Sequence, residues 1–384
     1  MKKLFNIWSY KSQTSLAVLI TLFLTGSLLS GFSQQSLYDE FQAEIDKEVK
    51  DNMPGILIHI ESPGKNISWS GASGFSDREN GTKLYPDQSF RIASVTKTFV
   101  ASTILRLWEQ NKIMLEDPVS KYISVTHSEI LKRGGYDIDK ITIRHLLTHS
   151  SGLYDHAQSE EFMKRIFEEP EHVWTRTEQL SKATEWGRPV GEIGERFSYA
   201  DTGYILLGEI IEKITGKPMN DAIREVLELE GLGLNNTWIE GFRSQEKEKR
   251  IHQYFNGIDT YNFNPSLDLF GGGGFLSTSS DLANYFQKLF NNHVYRHEST
   301  LDTMLAPVHY REKPRMDYRK GMYLISINGM DVYTHTGFWG TQVIYIPRMN
   351  TTIAVNYSQR WTERGQAPVL GELITLLQKY YEIP

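Results

Sequence analysis

The sequence predicts an α+β fold, and three features carry that expectation. Short strand-like runs lie near the start of the chain, others fill its last third, and a long helical, loop-rich stretch separates them. Strands at both ends predict one sheet assembled from both halves of the chain, with a mostly helical lobe inserted between them. The 384 residues are enough for a sizeable core, and 40% hydrophobic with 23% charged residues is ordinary globular composition.

The elements follow in order. Lys2, Lys3 and Lys11 precede an apolar stretch from Leu16 to Phe32, closed by Ser33-Gln34-Gln35. A positive start, an apolar middle and small residues at the exit predict a signal peptide over 1–33, cleaved near Ser33. The alternative is an uncleaved membrane anchor, since the run approaches the ~18 residues that span a bilayer. Either reading sends the protein out of the cytoplasm, to the periplasm or the exterior, with possible association with the cell envelope. The remaining 34–384 read as one domain, with a sheet region at about 36–105 and 270–384 and the helical lobe at about 106–269.

Leu37, Phe41, Ile45 and Val49 recur every fourth residue, the apolar face of a helix. Strands are expected at 55–60 and 67–74 around the Ser62-Pro63-Gly64 turn, and Asn80-Gly81 marks another turn. From Ser94 to Trp108 apolar residues leave little polar surface, which predicts a buried helix. Helical patterns continue at 142–149, 202–215 and 218–230. After the glycines at 271–274, Ser279-Ser280-Asp281 opens a helix running to Phe290. Runs rich in Val, Ile, Thr and Tyr at 322–327, 332–336, 341–346 and 352–357 predict strands, with Asn328-Gly329 as a hairpin turn. An amphipathic helix at 368–381 closes the chain.

Composition excludes several functions. The net charge of -6 and the scattered basic residues give no footprint for nucleic acid. With no cysteine, disulfides, thiol catalysis, cysteine-based zinc sites and a cysteine lipid anchor are all ruled out. His145 and His149 have the spacing of metal ligands, but the Glu of His-Glu-x-x-His is missing, so they are read as structural. His293 and His297 lie in a polar stretch and read as surface residues. No metal or cofactor is expected.

Ser-x-x-Lys occurs at Ser62–Lys65, Ser94–Lys97 and Ser244–Lys247. The first sits in a Pro-Gly turn and the third in a charged run, so both are expected to be exposed and inert. The middle one opens the apolar helix, where residues three apart share a face. There a desolvated lysine can serve as the base for a serine nucleophile, and the helix N-terminus offers spare N–H groups to an oxyanion. Read alone, the same motif also fits a serine near a helix cap beside a lysine reaching solvent.

Further motifs decide between these readings. Phe90-Arg-Ile-Ala-Ser-Val-Thr-Lys-Thr-Phe99 is followed by Ile141-Thr-Ile-Arg-His-Leu-Leu-Thr-His-Ser-Ser-Gly-Leu153, Phe197-Ser-Tyr-Ala-Asp-Thr-Gly-Tyr204 and His335-Thr-Gly-Phe-Trp-Gly340. Together they resemble the serine β-lactamase and D-alanyl-D-alanine carboxypeptidase superfamily, closest to its class C β-lactamase-like branch. The resemblance implies a β-lactamase/transpeptidase-like fold, an antiparallel sheet flanked by helices plus the helical lobe. It makes Ser94 the nucleophile, Lys97 its partner base and Tyr199 the proton shuttle. His335, Thr336 and Gly337 would border the substrate, and the N–H groups of Ser94 and Phe338 would form the oxyanion hole.

Three positions depart from the family pattern. Asp201 replaces a common Asn and can only accept hydrogen bonds when ionised. It could hold Lys97 charged and move the base role toward Tyr199. His335 replaces a frequent Lys, and Phe338 a small or hydroxyl residue, which weakens the case for a substrate carboxylate. The expected function is an exported serine hydrolase acting through an acyl-enzyme, with D-Ala-containing cell-wall peptides the first substrate choice. The rivals are a carboxylesterase or β-lactamase of the same family and a non-catalytic binder of cell-wall fragments. The glycines at 271–274 are expected to let backbone pass close to the site, and Tyr154, Trp339 and Trp361 are candidates to line a cleft.

Overall fold

A computed structural model describes residues 34–49, 53–242, 250–360 and 369–382. The export segment expected at 1–33, the Ser244–Lys247 motif and Trp361 lie outside the described residues.

One eight-stranded sheet dominates. Its strands are β1 (Gly55–Ser62), β2 (Ile67–Asp77), β3 (Thr82–Lys83), β4 (Asp317–Tyr318), β5 (Tyr323–Ile327), β6 (Met330–Thr336), β7 (Thr341–Ile346) and β8 (Thr351–Tyr357). Their order is β3-β2-β1-β8-β7-β6-β5-β4, and every pairing is antiparallel. The two halves of the chain meet where β1 pairs with β8, Ile58 opposite Val355.

Alternation along β1 sends neighbouring residues to opposite faces. Ile56, Ile58 and Ile60 join Phe41 and Ile45 of helix α1 (34–48) and Leu373, Ile374 and Leu377 of the C-terminal helix Val369–Tyr380 in one core. Leu57 faces the other way, into the core that holds α2 (Thr96–Glu109) and the helix Ser279–Phe290. Those two helices lock together where Phe99 stacks on Tyr285 at 3.9 Å between ring centroids. The helical lobe packs on α2 through α3 (Asp201–Thr215), whose residues Thr202 to Ile211 are all buried.

A small three-stranded sheet sets up the site. Phe275–Ser277 lies between Phe90–Arg91 and Trp238–Ile239, so the residues just before Ser94 are tied to those just after the glycine run. The stretch read as a mostly helical lobe also contains the short strands Tyr254–Phe255 and Ile258–Asp259.

One expectation is overturned. Ser62 is buried, not exposed: it ends β1, and its hydroxyl pairs with that of Thr351 at 2.7 Å. The Pro-Gly turn begins only after it. Among the described residues no helix is long and apolar enough to cross a membrane.

Candidate active site

Ser94 sits in a single 3-10 turn, Ala93–Val95, immediately before α2. Ala93 carries it there with a φ of 45°, a left-handed conformation for a residue with a side chain. Such strain costs roughly 1–3 kcal/mol and persists only where packing enforces it. Here Ala93 is buried with Phe255, Phe263 and Trp339. One turn further on, Lys97 has no exposed surface at all.

Three acceptors surround the Lys97 ammonium. Its Nζ donates to Ser94 Oγ at 2.9 Å, donates to the Gly272 carbonyl, and forms an ion pair with Asp201 Oδ1 at 2.6 Å. Two of these contacts are hydrogen bonds and the third is an ion pair, whose carboxylate oxygen takes no hydrogen bond among the described residues. The glycine run is what allows this approach: at Gly271 φ is 117°, and a Cβ would stand 2.3 Å from the Tyr204 carbonyl oxygen.

Tyr199 approaches from the residues just before α3. It lines the same cleft as Ser94, and its ring lies 5.0 Å from Lys97 Nζ. Burial, followed by the charge of Asp201, holds the phenol proton well above its ordinary range. Asp201 opens α3, where the helix dipole favours an anion.

The strand motif completes the ring. His335 is 1% exposed at the end of β6, its Nδ1–H donating to the Thr336 carbonyl at 2.9 Å. A carbonyl only accepts, so this contact assigns the proton to Nδ1 and leaves Nε2 a bare acceptor. Nε2 is buried without a partner among the described residues. Burial, then the nearby Lys97 charge, pushes the imidazole down to about 3, so it is neutral. Gly337 follows, and a Cβ there would come 2.2 Å from the Ile92 carbonyl oxygen. Only glycine lets the end of β6 lie against the nucleophile turn. Phe338 stacks on Phe255 at 5.0 Å, with the Arg360 guanidinium 4.4 Å from its ring.

Ser94, Tyr199, Asp201, His335, Thr336 and Phe338 line one cleft of about 380 Å³. Every site residue picked from the sequence is thus in or directly beneath it. Trp339 also reaches its wall, whereas Tyr154 packs over Gly187 instead.

Two residues of the site escaped sequence reasoning. Asp155 and Asp268 both line the cleft, and Asp155 Oδ1 accepts from the Asp201 N–H at 3.1 Å. Burial, reinforced by Asp201, raises each carboxyl to about 7. His149, read as structural, lies 4.3 Å from the Tyr199 ring and accepts from the Ala200 N–H at 3.1 Å. It fixes the backbone between Tyr199 and Asp201, so structural support of the site is its observed place. His145 caps its own helix through Thr142. No group of three or more potential metal ligands occurs among the described residues.

The Beta-lactamase family profile matches residues 37–378. The chain belongs to the β-lactamase family.

A penicillin-binding protein of Bacillus subtilis (strain 168) is 26% identical over 359 residues, covering 87% of this chain and 75% of that relative. Esterase EstB of Burkholderia gladioli is 29% identical over 234 residues, 58% of this chain and 56% of EstB. Among solved structures, a D-stereospecific amidohydrolase from Streptomyces sp. superposes with a TM-score of 0.72 at 26% identity, over 84% of this chain and 94% of that one. This β-lactamase-family chain is accordingly a serine hydrolase with the α+β fold read from its sequence.

Proposed function

We propose that the protein hydrolyses small amides or esters through an acyl-enzyme on Ser94. The observation that carries this reading is the contact of Ser94 Oγ with a fully buried Lys97 that Gly272 and Asp201 also hold, with Tyr199 lining the same cleft.

The departure at Asp201 shapes the proton path. Lys97 Nζ is paired with the Asp201 carboxylate, and Tyr199 holds its proton tightly, so neither is a free base. Asp201 is the carboxylate in direct contact with Lys97. As Ser94 Oγ attacks the carbonyl carbon, its proton passes to Lys97 Nζ while a proton from Nζ passes to Asp201 Oδ1. The oxyanion that forms is met by the N–H groups of Ser94 and Phe338. When the carbon–leaving-group bond breaks, Tyr199 gives its proton to the departing atom and is refilled from Asp201 through Lys97. Water then attacks the acyl carbon, passing its proton along the same route, and Ser94 Oγ takes that proton back as its bond to the acyl group breaks and the acid is released. Proton relays of this kind contribute ~10²–10⁴-fold and a single oxyanion donor ~10²–10³-fold.

Two observations favour substrates without a carboxylate close to the scissile bond. His335 is neutral where a cation would be needed, and Asp155 and Asp268 would repel an anion. A D-Ala-terminated peptide is the second reading, favoured by Arg360 at the cleft, where a guanidinium is placed to meet a carboxylate. Export to the cell envelope belongs to this proposal through residues 1–33. Fluorophosphonate labelling followed by peptide mapping tests it: wild type is labelled on Ser94, and Ser94→Ala loses both the label and nearly all nitrophenyl ester turnover. A Ser94→Ala protein with wild-type turnover would overturn the mechanism. Comparing a nitrophenyl ester with a D-Ala-D-Ala peptide separates the two substrate readings.

A further inference from the structure

We propose that Ser70, His59 and Glu61 form a second acyl-accepting centre, on the open edge of the large sheet and independent of Ser94, which takes small activated esters from solvent.

Strand geometry builds this centre. His59 and Glu61 are two apart on β1 and so share a face, and Ser70 on β2 stands directly opposite His59. The Phe75 N–H donates to the Pro54 carbonyl at 2.7 Å, which puts the odd-numbered residues of β2 in the ladder with β1. The even-numbered ones turn outward: the Gly74 carbonyl accepts from the Leu84 N–H and the Ala72 carbonyl from Gln42 Nε2, each at 3.1 Å. Ser70 and His59 are therefore a pair that exchanges no backbone bonds, the kind whose side chains come closest. Ser70 Oγ lies 2.6 Å from His59 Nδ1, and Glu61 Oε2 lies 3.3 Å from His59 Nε2.

These contacts give each atom a part. A carboxylate only accepts, so the ring proton sits on Nε2, and Nδ1 is left bare to receive the Ser70 proton. Glu61 is ionised: against the upward push of burial, the His59 contact holds its carboxyl below the ordinary range. His59 is 5% exposed, whereas Ser70 is open to solvent, so a shielded base meets a nucleophile that a substrate can reach. β3 pairs with β2 only at Phe75 and Asp77, which leaves the edge beside Ser70 without a neighbouring strand. The Ser70 N–H points out from that edge, placed to donate to an oxyanion formed at its own side chain. Nucleophile, base, orienting carboxylate and oxyanion donor are the working parts of a serine triad.

The chemistry balances without a co-reactant other than water. As Ser70 Oγ bonds to the ester carbonyl carbon, its proton passes to His59 Nδ1. The same proton goes to the departing alcohol oxygen as the carbon–oxygen bond breaks, leaving the acyl group on Ser70. Water then attacks the acyl carbon and gives a proton to Nδ1, and Ser70 Oγ takes it back as the acid leaves. One N–H for the oxyanion and a solvent-open serine restrict the centre to good leaving groups, aryl esters rather than amides.

The test adds excess fluorophosphonate to the whole wild-type protein and to Ser94→Ala. Intact mass should show two adducts on wild type and one on Ser94→Ala, and fragment mapping should place the shared adduct on Ser70. Adding His59→Gln to Ser94→Ala should slow labelling of Ser70 about a hundredfold, the low end of what a positioned base contributes. The small nitrophenyl acetate turnover left in Ser94→Ala should fall further with Ser70→Ala. An unmodified Ser70 after exhaustive labelling of wild type overturns the proposal, as does labelling or turnover indifferent to His59→Gln and Ser70→Ala. The wild-type mapping decides it even where a variant fails to fold. A label on Ser70 with none on Ser94 would leave this centre standing and overturn the acyl-enzyme on Ser94.

Discussion

Asp201 is the residue that sets this site apart from its family pattern. An Asn at that position would still offer Lys97 an amide oxygen but no counter-ion; the carboxylate supplies the charge and a place to send a proton. Asp201→Asn should therefore force Lys97 to shed its proton to solvent before Ser94 can attack. The expected outcome is about a hundredfold loss of kcat/KM at pH 7, with the acid limb of the pH profile moved to higher pH. A variant with an unmoved acid limb and an unchanged rate would show that Asp201 takes no proton. His335 is the complementary case, a ring kept neutral by burial and unable to act as the cation its position often supplies.

Elements bring these residues together by two close backbone approaches, one at the glycine run and one at the end of β6. The second is directly testable. Gly337→Ala places a methyl 2.2 Å from the Ile92 carbonyl oxygen, and backbone cannot yield as a flexible side chain would. Moving β6 off the nucleophile turn displaces the Phe338 N–H, so kcat should fall about 10²–10³-fold. Retained ester turnover with a folded circular-dichroism spectrum would show that this N–H is not an oxyanion donor. The same geometry explains what was legible beforehand. Ser94 and Lys97 lie one helical turn apart, and Tyr199 and His335 sit in recognisable runs, so periodicity and motif were enough. Asp155 and Asp268 lie in irregular segments far apart in the chain, where no period announces a shared cleft. Ser62 was misjudged because its fate depends on Thr351, a cross-strand neighbour in β8 that only the closed sheet supplies. His149 was noticed, but its position beneath Tyr199 depends on how the lobe packs against β4 and β6.

At the scale of the whole molecule, a cluster of buried ionisable groups makes stability depend on pH in opposing ways. His156 is buried and pushed down to about 4, chiefly by desolvation. The unfolded chain binds its proton below about 6.5, so His156 removes stability as pH falls from about 6.5 to about 4. Asp155 and Asp268, raised to about 7, act with the opposite sign: their contribution is full below about 4 and is lost as pH rises to about 7. His156→Gln removes one opposing member. Its melting temperature should fall less than that of wild type between pH 6.5 and pH 4, whatever its absolute value. Parallel melting curves across that range would show that His156 does not titrate with folding.

The two faces of the sheet also divide labour in space. Helix α1 and the closing helix Val369–Tyr380 cover one face, while α2, which carries Ser94 at its head, packs on the other. A reporter on the exposed side of α1, at Asp39 or Glu40, is consequently separated from the nucleophile helix by the full thickness of the sheet.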